Sequence, residues 1–197
     1  MNGLDISDFP AALEHIRREA EAIGFTLSSE PKTGALLRVL AASKPRGRFL
    51  ELGTGAGAGA SWLLAGMDAD STLLSVDNDP RVQDIARRHL GSDARVTFQC
   101  EDGAAFLERP ASESFDLIYA DAWPGKFTHL DHALSRVAEG GIYFVDDLLP
   151  QPSWPEGHAA KVPPLVETLE RAPGFMATHI AWASGLMMLV RTARFQI

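Results

Sequence analysis

Short apolar runs alternate with helical stretches from Arg48 onward, and this alternation constrains the fold more than any other feature of the chain. The runs are apolar throughout, which is typical of strands that are buried on both faces. Strands that alternate with helices are joined by right-handed crossovers and form a parallel sheet. The predicted strands are residues 49–52, 72–76, 96–98, 115–119 and 142–145, and the predicted helices between them are residues 59–67, 80–90, 103–108 and 127–138.

The last part of the chain has a different pattern. Residues 176–182 and 186–191 are predicted strands, and only Ala183, Ser184 and Gly185 separate them. Because a parallel crossover needs a much longer connection, this pair must be an antiparallel hairpin. We therefore predict a doubly wound, Rossmann-like α/β fold. Its seven-stranded sheet has five parallel strands plus a C-terminal antiparallel hairpin, with helices on both faces.

The N-terminal segment is predicted to form two helices. The first covers about residues 8–23, with Asp8 as its N-cap and Gly24 at its end, and the second covers residues 31–42 with Ser29 as its cap. The chain has 197 residues, a length that suits one domain. We expect a single domain over residues 1–197, in which residues 1–45 supply the N-terminal helices and residues 46–197 form the Rossmann-like core.

Charge and composition exclude several classes of partner. The formal net charge is -8, and an acidic surface repels the phosphates of a nucleic acid. Cys100 is the one cysteine, so no intrachain disulfide can form. The first residues lack the basic and apolar segments of a signal peptide, and no apolar run is long enough to span a membrane. We expect a cytoplasmic protein that binds neither nucleic acid nor a membrane.

A glycine-rich loop follows the first predicted strand, where Gly53, Thr54, Gly55 and Gly57 precede a predicted helix. Glycines permit positive φ angles and let the backbone approach a ligand closely. The start of the following helix offers N–H groups to a pyrophosphate or to the carboxylate of an amino acid. The loop thus predicts a nucleotide-like cofactor, but its spacing also satisfies the dinucleotide pattern and does not choose between them.

Glu51 favours one of these cofactors. It lies two residues before the first glycine, where its carboxylate would face a cationic group. The ammonium of S-adenosylmethionine is such a group, whereas the phosphates of NAD carry negative charge. We therefore predict S-adenosylmethionine, with an incidental charge at the strand end as the alternative role of Glu51.

Further polar residues follow the next two strands. Asp77 ends the second run, where an acid can accept hydrogen bonds from both ribose hydroxyls. Asp79 is interpreted as a helix cap, and Asn78 fits either a structural or a binding role. Asp102 follows the third run beside Gly103, where its carboxylate either accepts from the adenine amino group or caps the next helix.

Over about residues 29–192 the chain resembles class I methyltransferases, and more closely the small O-methyltransferases of the catechol and caffeoyl-coenzyme A type. The matched segments are residues 49–57, 74–79, 96–103, 115–121, 140–147 and 185–191. The resemblance implies an S-adenosylmethionine-dependent enzyme that methylates a small hydroxylated acceptor. The predicted cofactor-binding residues are Glu51, Gly53, Thr54, Gly55, Gly57, Asp77, Asn78, Asp102, Gly103 and Asp121.

The resemblance also implies a divalent cation, Mg²⁺ or Ca²⁺. In that family the cation is held by an acid after strand four and an Asp-Asn pair after strand five, which correspond here to Asp121, Asp146 and Asp147. Asp147 stands where the family has asparagine. Three carboxylates would repel one another without a cation, and oxygen ligands suit Mg²⁺ or Ca²⁺. The alternative is that one of Asp146 and Asp147 caps the next segment while the other is solvated.

The same resemblance implies the catalytic residues. The cation would lower the pKa of an acceptor hydroxyl at Asp121, and Lys126 would take the proton, although its spacing is shifted from that of the family lysine. Trp123, Trp154 and Phe127 either pack an aromatic acceptor or belong to the core or a lid. The loop at residues 149–158 is a candidate substrate lid. The N-terminal helices form either a homodimer face or a cover over the cofactor.

Other functions remain open at this stage. A metal-independent small-molecule methyltransferase would use the same cofactor site without the cation. A NAD-dependent oxidoreductase would need a catalytic Tyr-Lys or His constellation beyond the sheet, but the two tyrosines, Tyr119 and Tyr143, both lie within predicted strands. A nucleic-acid methyltransferase is disfavoured by the acidic charge and by the incomplete match of residues 121–124 to an Asp-Pro-Pro-Tyr loop. The last alternative is a non-catalytic adenosylmethionine-binding protein.

Overall fold

A computed structural model describes residues 8–26, 29–152 and 154–192. Seven strands form one sheet in the order β3-β2-β1-β4-β5-β7-β6. The first five strands of the chain pair in parallel, and β7 runs antiparallel to both β5 and β6, as predicted. The strands are β1 (Arg48–Leu52), β2 (Thr72–Asp77), β3 (Val96–Cys100), β4 (Phe115–Ala120), β5 (Val137–Val145), β6 (Phe175–Ile180) and β7 (Leu186–Arg191).

Eight helices occur in the described residues, and two regions differ from the prediction. The predicted helix at 127–138 is too long, because the helix in this region covers only Leu130–Ser135 and β5 already begins at Val137. A separate short helix at Trp123–Lys126 precedes it, and Gly125 within that helix has a φ of 88°. A helix after residue 157 was not predicted. The helices are α1 (Leu13–Ala22), α2 (Pro31–Ala42), α3 (Ala58–Gly66), α4 (Pro80–Leu90), α5 (Gly103–Glu108), α6 (Trp123–Lys126), α7 (Leu130–Ser135) and α8 (His158–Glu170).

Apolar side chains cover both faces of the sheet, because successive residues of a strand point to opposite faces. Phe49 of β1 packs with α1–α4, whereas its neighbour Leu50 packs with α5, α7 and α8. In the same way, Leu117 of β4 packs on the face with Phe49, and Ile118 packs on the face with Leu50. Complete burial of a leucine-sized side chain contributes about 1.5–3 kcal/mol, so both faces add to the stability of the sheet.

The caps of the first two helices differ from the prediction. The N-cap of α1 is Ala12 rather than Asp8, whose Oδ2 instead accepts a hydrogen bond of 2.7 Å from Arg38. The N-cap of α2 is Glu30 and makes no side-chain cap, while Ser29 points toward the sheet. Pro31 explains why α2 starts without a cap, since its φ is already helical and it has no N–H to satisfy.

No helix in the described ranges is both long and apolar enough to cross a bilayer. The single domain predicted over residues 1–197 includes residues 1–7, 27–28, 153 and 193–197, which lie outside the described residues. Residue 153 also belongs to the predicted lid, so the description of that segment excludes it.

Candidate active site

A cavity of about 300 Å³ lies at the carboxyl ends of β1, β2, β4 and β5. After β1 the chain adds β2 and β3 on one side of this strand, and it then crosses to the other side to add β4. The cavity therefore lies where the strand order reverses. Ligands of open α/β sheets bind at this position because the loops diverge there. The segment before α2 closes one side with Phe25, Thr26, Ser29 and Glu30.

The glycine-rich loop forms the floor of this cavity through Gly53, Thr54 and Gly55. Gly53 has a φ of 101°, and a Cβ there would lie 2.8 Å from the backbone oxygen of Asp121. Only glycine therefore lets the loop cross the end of β4 at this distance. Gly57 is the N-cap of α3 and does not reach the cavity wall.

Asp77 is held at the cavity wall by the backbone. The Gly55 N–H donates to its Oδ2 over 2.7 Å, and the Asp79 N–H donates to its Oδ1 over 2.8 Å. Each carboxylate oxygen keeps a lone pair for a ligand hydroxyl. This orientation is compatible with the predicted contact to a ribose.

Three other predicted cofactor residues lie outside the cavity wall. Asn78 is exposed, and Gly103 packs against Pro124. The Oδ1 of Asp102 accepts from the backbone N–H groups of Ala104 and Ala105, so Asp102 caps α5. The capping interpretation of Asp102 is therefore the one that the structure supports.

Glu51 is fully buried and lies away from the cavity wall. It points to the face that α3 covers, and a Cβ on Gly59 would lie 2.3 Å from its Oε1. Burial raises the pKa of Glu51 well above its ordinary value, and the charges of Asp121 and Asp77 add to this rise. In this structure the Glu51 carboxylate is not in a position to pair with a ligand ammonium in the cavity, because strand alternation directs its side chain under α3.

A chain of hydrogen bonds ends on Glu51. Gln83 Nε2 donates to Thr54 Oγ1 over 3.1 Å, and Thr54 Oγ1 lies 2.6 Å from Ser75 Oγ. Ser75 Oγ in turn donates to Glu51 Oε2 over 2.5 Å. Since each hydroxyl carries one hydrogen, the donors run in one direction from α4 to the carboxylate. This series of hydrogen bonds connects the glycine loop to β1 and β2.

Tyr119 is a site residue that sequence reasoning missed. Its Oη lies 3.0 Å from Asp121 Oδ2 and 3.2 Å from Asp146 Oδ2, so the two carboxylates share the single hydrogen that the hydroxyl donates, and Ser29 Oγ lies 3.1 Å away. Burial raises the pKa of Tyr119 well above its ordinary value, and the charges of Asp121 and Asp146 raise it further. The available signal was its position two residues before Asp121, which places both residues on the same face of β4 and its extension.

Asp121 and Asp146 are brought together around this hydroxyl. Burial raises the pKa of Asp121 to about 7, with a further contribution from the charge of Asp146 and an opposing one from Lys126. Burial also raises the pKa of Asp146, against the hydrogen bond from Ser184. Ser184 Oγ and the Asp147 N–H both donate to Asp146 Oδ1. The acids that follow β4 and β5 therefore form a close pair.

Asp147 lines the same cavity as this pair, but its carboxylate is engaged by other side chains. Its φ is 65°, and its Oδ1 accepts a hydrogen bond of 2.5 Å from Trp154 Nε1. Its Oδ2 lies 3.4 Å from Nε2 of His158. Within residues 8–26, 29–152 and 154–192, no three acidic, histidine or cysteine side chains are arranged to hold a metal ion.

Lys126 lies in the cavity wall and is only 3% exposed. Burial lowers its pKa, while the charges of Asp121, Asp147 and Asp146 oppose this effect. Among the described residues no carboxylate oxygen lies within 4.0 Å of its Nζ. The amine thus stands close to the acids without a direct ion pair, as a proton acceptor requires.

Aromatic rings form the end of the cavity that faces away from the glycine loop. Trp123 lines the cavity and meets Phe127 edge-on, with ring centroids 5.8 Å apart. Trp154 stacks on His158 with ring centroids 4.5 Å apart, and Phe127 meets His158 edge-on at 4.9 Å. The segment at 149–158 contributes Gln151, Pro155 and His158 to the cavity wall, as a substrate lid would.

Comparison with known sequences gives a consistent family. The model of a family described as "Methyltransferase domain" matches residues 50–148. A relative from Mycobacterium sp. (strain KMS), described as a "putative O-methyltransferase", is 38% identical over 101 residues, which cover 48% of this chain and 44% of the relative. A Mycolicibacterium smegmatis relative with a similar description is 37% identical over 112 residues, covering 55% and 53%. The chain spans about half the length of the curated relatives it matches.

Solved structures share the fold over nearly the whole chain. The O-methyltransferase TomG from Streptomyces achromogenes, involved in tomaymycin synthesis and in complex with SAM, superposes with a TM-score of 0.79 and 22% identity. That match covers 97% of this chain and 93% of TomG. An O-methyltransferase from Bacillus cereus in complex with SAH gives a TM-score of 0.81 at 20% identity, covering 97% and 94%. At this identity the likeness establishes the fold.

Proposed function

The chain belongs to the methyltransferase domain family, and from this membership we propose that it is an S-adenosylmethionine-dependent O-methyltransferase acting on a small hydroxylated acceptor. The observation that carries the proposal is the hydrogen bond between the glycine loop and Asp77. The Gly55 N–H fixes the Asp77 carboxylate at the wall of a cavity of about 300 Å³. Relatives described as O-methyltransferases, and solved structures with SAM or SAH, support the same cofactor for this chain.

The residues present fit this cofactor. Asp77 can accept from two ribose hydroxyls, and Gly53 and Gly55 leave room beside the backbone for the amino-acid part. When bound, S-adenosylmethionine supplies a methyl group on a positively charged sulfur, which transfers in line to an acceptor oxygen. The carboxylates of Asp121 and Asp146 give the adjoining wall a negative field.

The acceptor end of the cavity offers two groups that can take the acceptor proton. Asp121 has a pKa raised to about 7 by burial, and Lys126 has a pKa lowered by burial. Both changes bring a proton acceptor closer to neutral pH, where general bases are most effective. Tyr119 fixes the orientation of Asp121, while Trp123 offers an apolar surface to an aromatic acceptor. A catechol-like molecule suits these groups.

The predicted cation does not fit the arrangement of the acids. Three carboxylates are a suitable donor set for Mg²⁺ or Ca²⁺ by chemistry. However, Asp147 is engaged by Trp154 and His158, and among the described residues no three acidic, histidine or cysteine side chains are arranged to hold a metal ion. We therefore assign proton removal to Asp121 and Lys126, and propose the metal-independent form of the reaction.

Methyl transfer to a catechol in the presence of EDTA or of Mg²⁺ tests this choice. We expect similar turnover in both solutions. A turnover that disappears in EDTA and returns with Mg²⁺ would reject the metal-independent form and restore the predicted centre at Asp121, Asp146 and Asp147. It would leave the cofactor assignment unchanged.

Calorimetric titration with S-adenosylhomocysteine, with NADH in parallel, tests the proposed cofactor. We expect the homocysteine product to bind and NADH to give no heat of binding. Binding of NADH alone would instead indicate an oxidoreductase. Binding of the homocysteine product without methylation of any catechol in an acceptor panel would indicate a non-catalytic binding protein.

A further inference from the structure

A second cavity of about 580 Å³ lies beside the first, between α7 and α8. We call it the side cavity, and its polar wall consists of Lys126, His129, Asp131, His132 and Lys161 together with Thr168. Lys126 belongs to the walls of both cavities, so the side cavity adjoins the acceptor end of the active site.

Two lysines flank the aromatic pair between the cavities. Trp123 lines the first cavity and Phe127 lines the side cavity, and their rings meet edge-on. Lys161 Nζ lies 5.0 Å from the Trp123 ring, and Lys126 Nζ lies 5.2 Å from the Phe127 ring. The Lys161 ammonium is thus held against an aromatic face by a cation–π contact.

The wall of the side cavity contains more lysines than acids, although the whole chain has a formal net charge of -8. Asp131 is the one acidic residue in its wall. The nearby Glu108 is engaged by His129 Nε2 at 3.2 Å. In the part of the chain that the structure describes, no carboxylate oxygen lies within 4.0 Å of the Lys161 Nζ. An ammonium without an acidic partner next to an active site attracts an anionic group of a ligand.

We propose that the side cavity binds the acidic group of the methyl acceptor, a carboxylate or a phosphate, with Lys161 as its main cationic partner. The proposal rests on the proposed function and narrows its substrate class to hydroxylated aromatic acids. With its hydroxyl at Asp121 and Lys126, an acceptor can pass its ring along Trp123 and direct its acidic group toward Lys161. The same cation could instead hold a free inorganic anion, and the experiment separates these two sources.

The test compares two acceptors on the full chain loaded with S-adenosylhomocysteine. Calorimetry measures the Kd of 3,4-dihydroxybenzoate and of 3,4-dihydroxybenzyl alcohol, which share the ring and hydroxyls and differ in charge. We expect the acid to bind more tightly. Lys161→Met should weaken binding of the acid by about tenfold, the effect of losing one charge-assisted contact, and that of the alcohol by less than about twofold.

Two control variants sharpen the comparison. Lys161→Arg keeps the charge and should keep the preference for the acid. Lys44→Met removes a lysine outside both cavities, whose Nζ donates to the Gly140 carbonyl, and should leave both Kd values as in the wild type. Thermal unfolding of each variant checks that it is folded.

Several outcomes would overturn the proposal. One is an equal effect of Lys161→Met on both acceptors, or no effect on either. Another is that inorganic phosphate binds at Lys161 without displacing 3,4-dihydroxybenzoate, which would assign the site to a free anion. Displacement of the benzoate by phosphate supports the proposal. If S-adenosylhomocysteine fails to bind, the proposed function fails, and the same titrations without it still decide whether Lys161 selects the acid.

Discussion

At the residue scale, the candidate site depends on a few side chains whose orientation is imposed by neighbouring strands. Glu51, Ser75 and Tyr119 occupy one row of the sheet, because Glu51 is the register partner of both others. The row lies under α3, and the hydroxyl of Tyr119 contacts Asp121 and Asp146, which line the cavity. Asp77 lies two residues after Ser75 along β2 and lines the cavity itself, so a short step along one strand separates a buried supporting residue from a residue of the cavity wall.

We expect Asp77→Asn to weaken binding of S-adenosylhomocysteine by about tenfold or more, since a hydrogen bond to a charged group contributes about 1.5–3 kcal/mol. Asp79→Asn is a matched control, because Asp79 caps α4 and asparagine is an equally good cap. Calorimetry on both variants is the measurement. Equal losses in the two variants would show that the effect comes from the loop fold rather than from the ligand contact.

We expect Tyr119→Phe to destabilise the protein by about 1–3 kcal/mol, because two buried carboxylates lose their shared donor. Turnover should fall with it, since Asp121 loses its orientation. Tyr143→Phe removes another buried hydroxyl, which donates to the Gly125 carbonyl away from the acids. Urea unfolding gives the free energy of unfolding of both variants, and steady-state kinetics gives their kcat. If kcat falls equally in both variants, general destabilisation rather than positioning of Asp121 explains the loss.

At the element scale, α3 packs on the sheet more closely than a side chain at residue 59 would permit. A Cβ on Gly59 would lie 2.3 Å from Glu51 Oε1 and 3.0 Å from the Tyr119 ring. This close approach brings the glycine loop against the ends of β1 and β4. The position of α3 therefore depends on the residue under it as well as on its own sequence.

We expect Gly59→Ala to destabilise the protein by about 1–3 kcal/mol, the usual cost of inserting a methyl group into a tightly packed site. The same change made in a Glu51→Ala background should cost less, because the nearest atom is then absent. Urea unfolding of the four proteins in this cycle gives the coupling. Strictly additive changes would show that Glu51 does not limit the approach of α3.

The segment between β5 and α8 is the other element that forms the site. Trp154 and His158 engage Asp147 and hold the end of the segment over the cavity. The carboxylate predicted as a metal ligand therefore contacts the segment that was predicted to be a lid. α8 then supplies Lys161 to the side cavity, so this helix contributes His158 to the first cavity and Lys161 to the proposed acid-binding site.

At the scale of the whole molecule, burying acids at the sheet end affects stability as a function of pH. The pKa of Asp121 is raised from an ordinary value of 3.8 to about 7 in the folded state. A raised folded pKa means that the folded state binds the proton more tightly than the unfolded chain. The stabilisation from Asp121 is complete below about pH 3.8 and is lost as the pH rises through about 7.

The free energy of unfolding of wild type minus that of Asp121→Asn isolates this effect. We expect the difference to decrease between pH 4 and pH 7, because asparagine does not titrate. The comparison is needed because Asp93 and Asp68 have lowered pKa values, from hydrogen bonds with Arg95 and with Ser71, and act in the opposite direction. A difference that stays constant over this range would show that Asp121 is ionised with its ordinary pKa.

The sequence alone determined the order and type of most elements, the seven-stranded sheet and the glycine loop after β1. These properties follow from local periodicity and from glycine, which act over a few residues. The same reasoning made the helix predicted at 127–138 too long, because the helix there covers only Leu130–Ser135 and β5 already begins at Val137. It also left α8 without an assignment.

Only the tertiary structure decided which side chains meet. The burial of Glu51 under α3, the bridging of Asp121 and Asp146 by Tyr119, and the turn of Asp147 toward Trp154 join residues far apart in the chain. Each depends on strand register and helix packing, which arise from contacts between elements rather than within them. The side cavity has the same origin, since Lys126 and Lys161 become neighbours only when α8 packs beside α6 and α7.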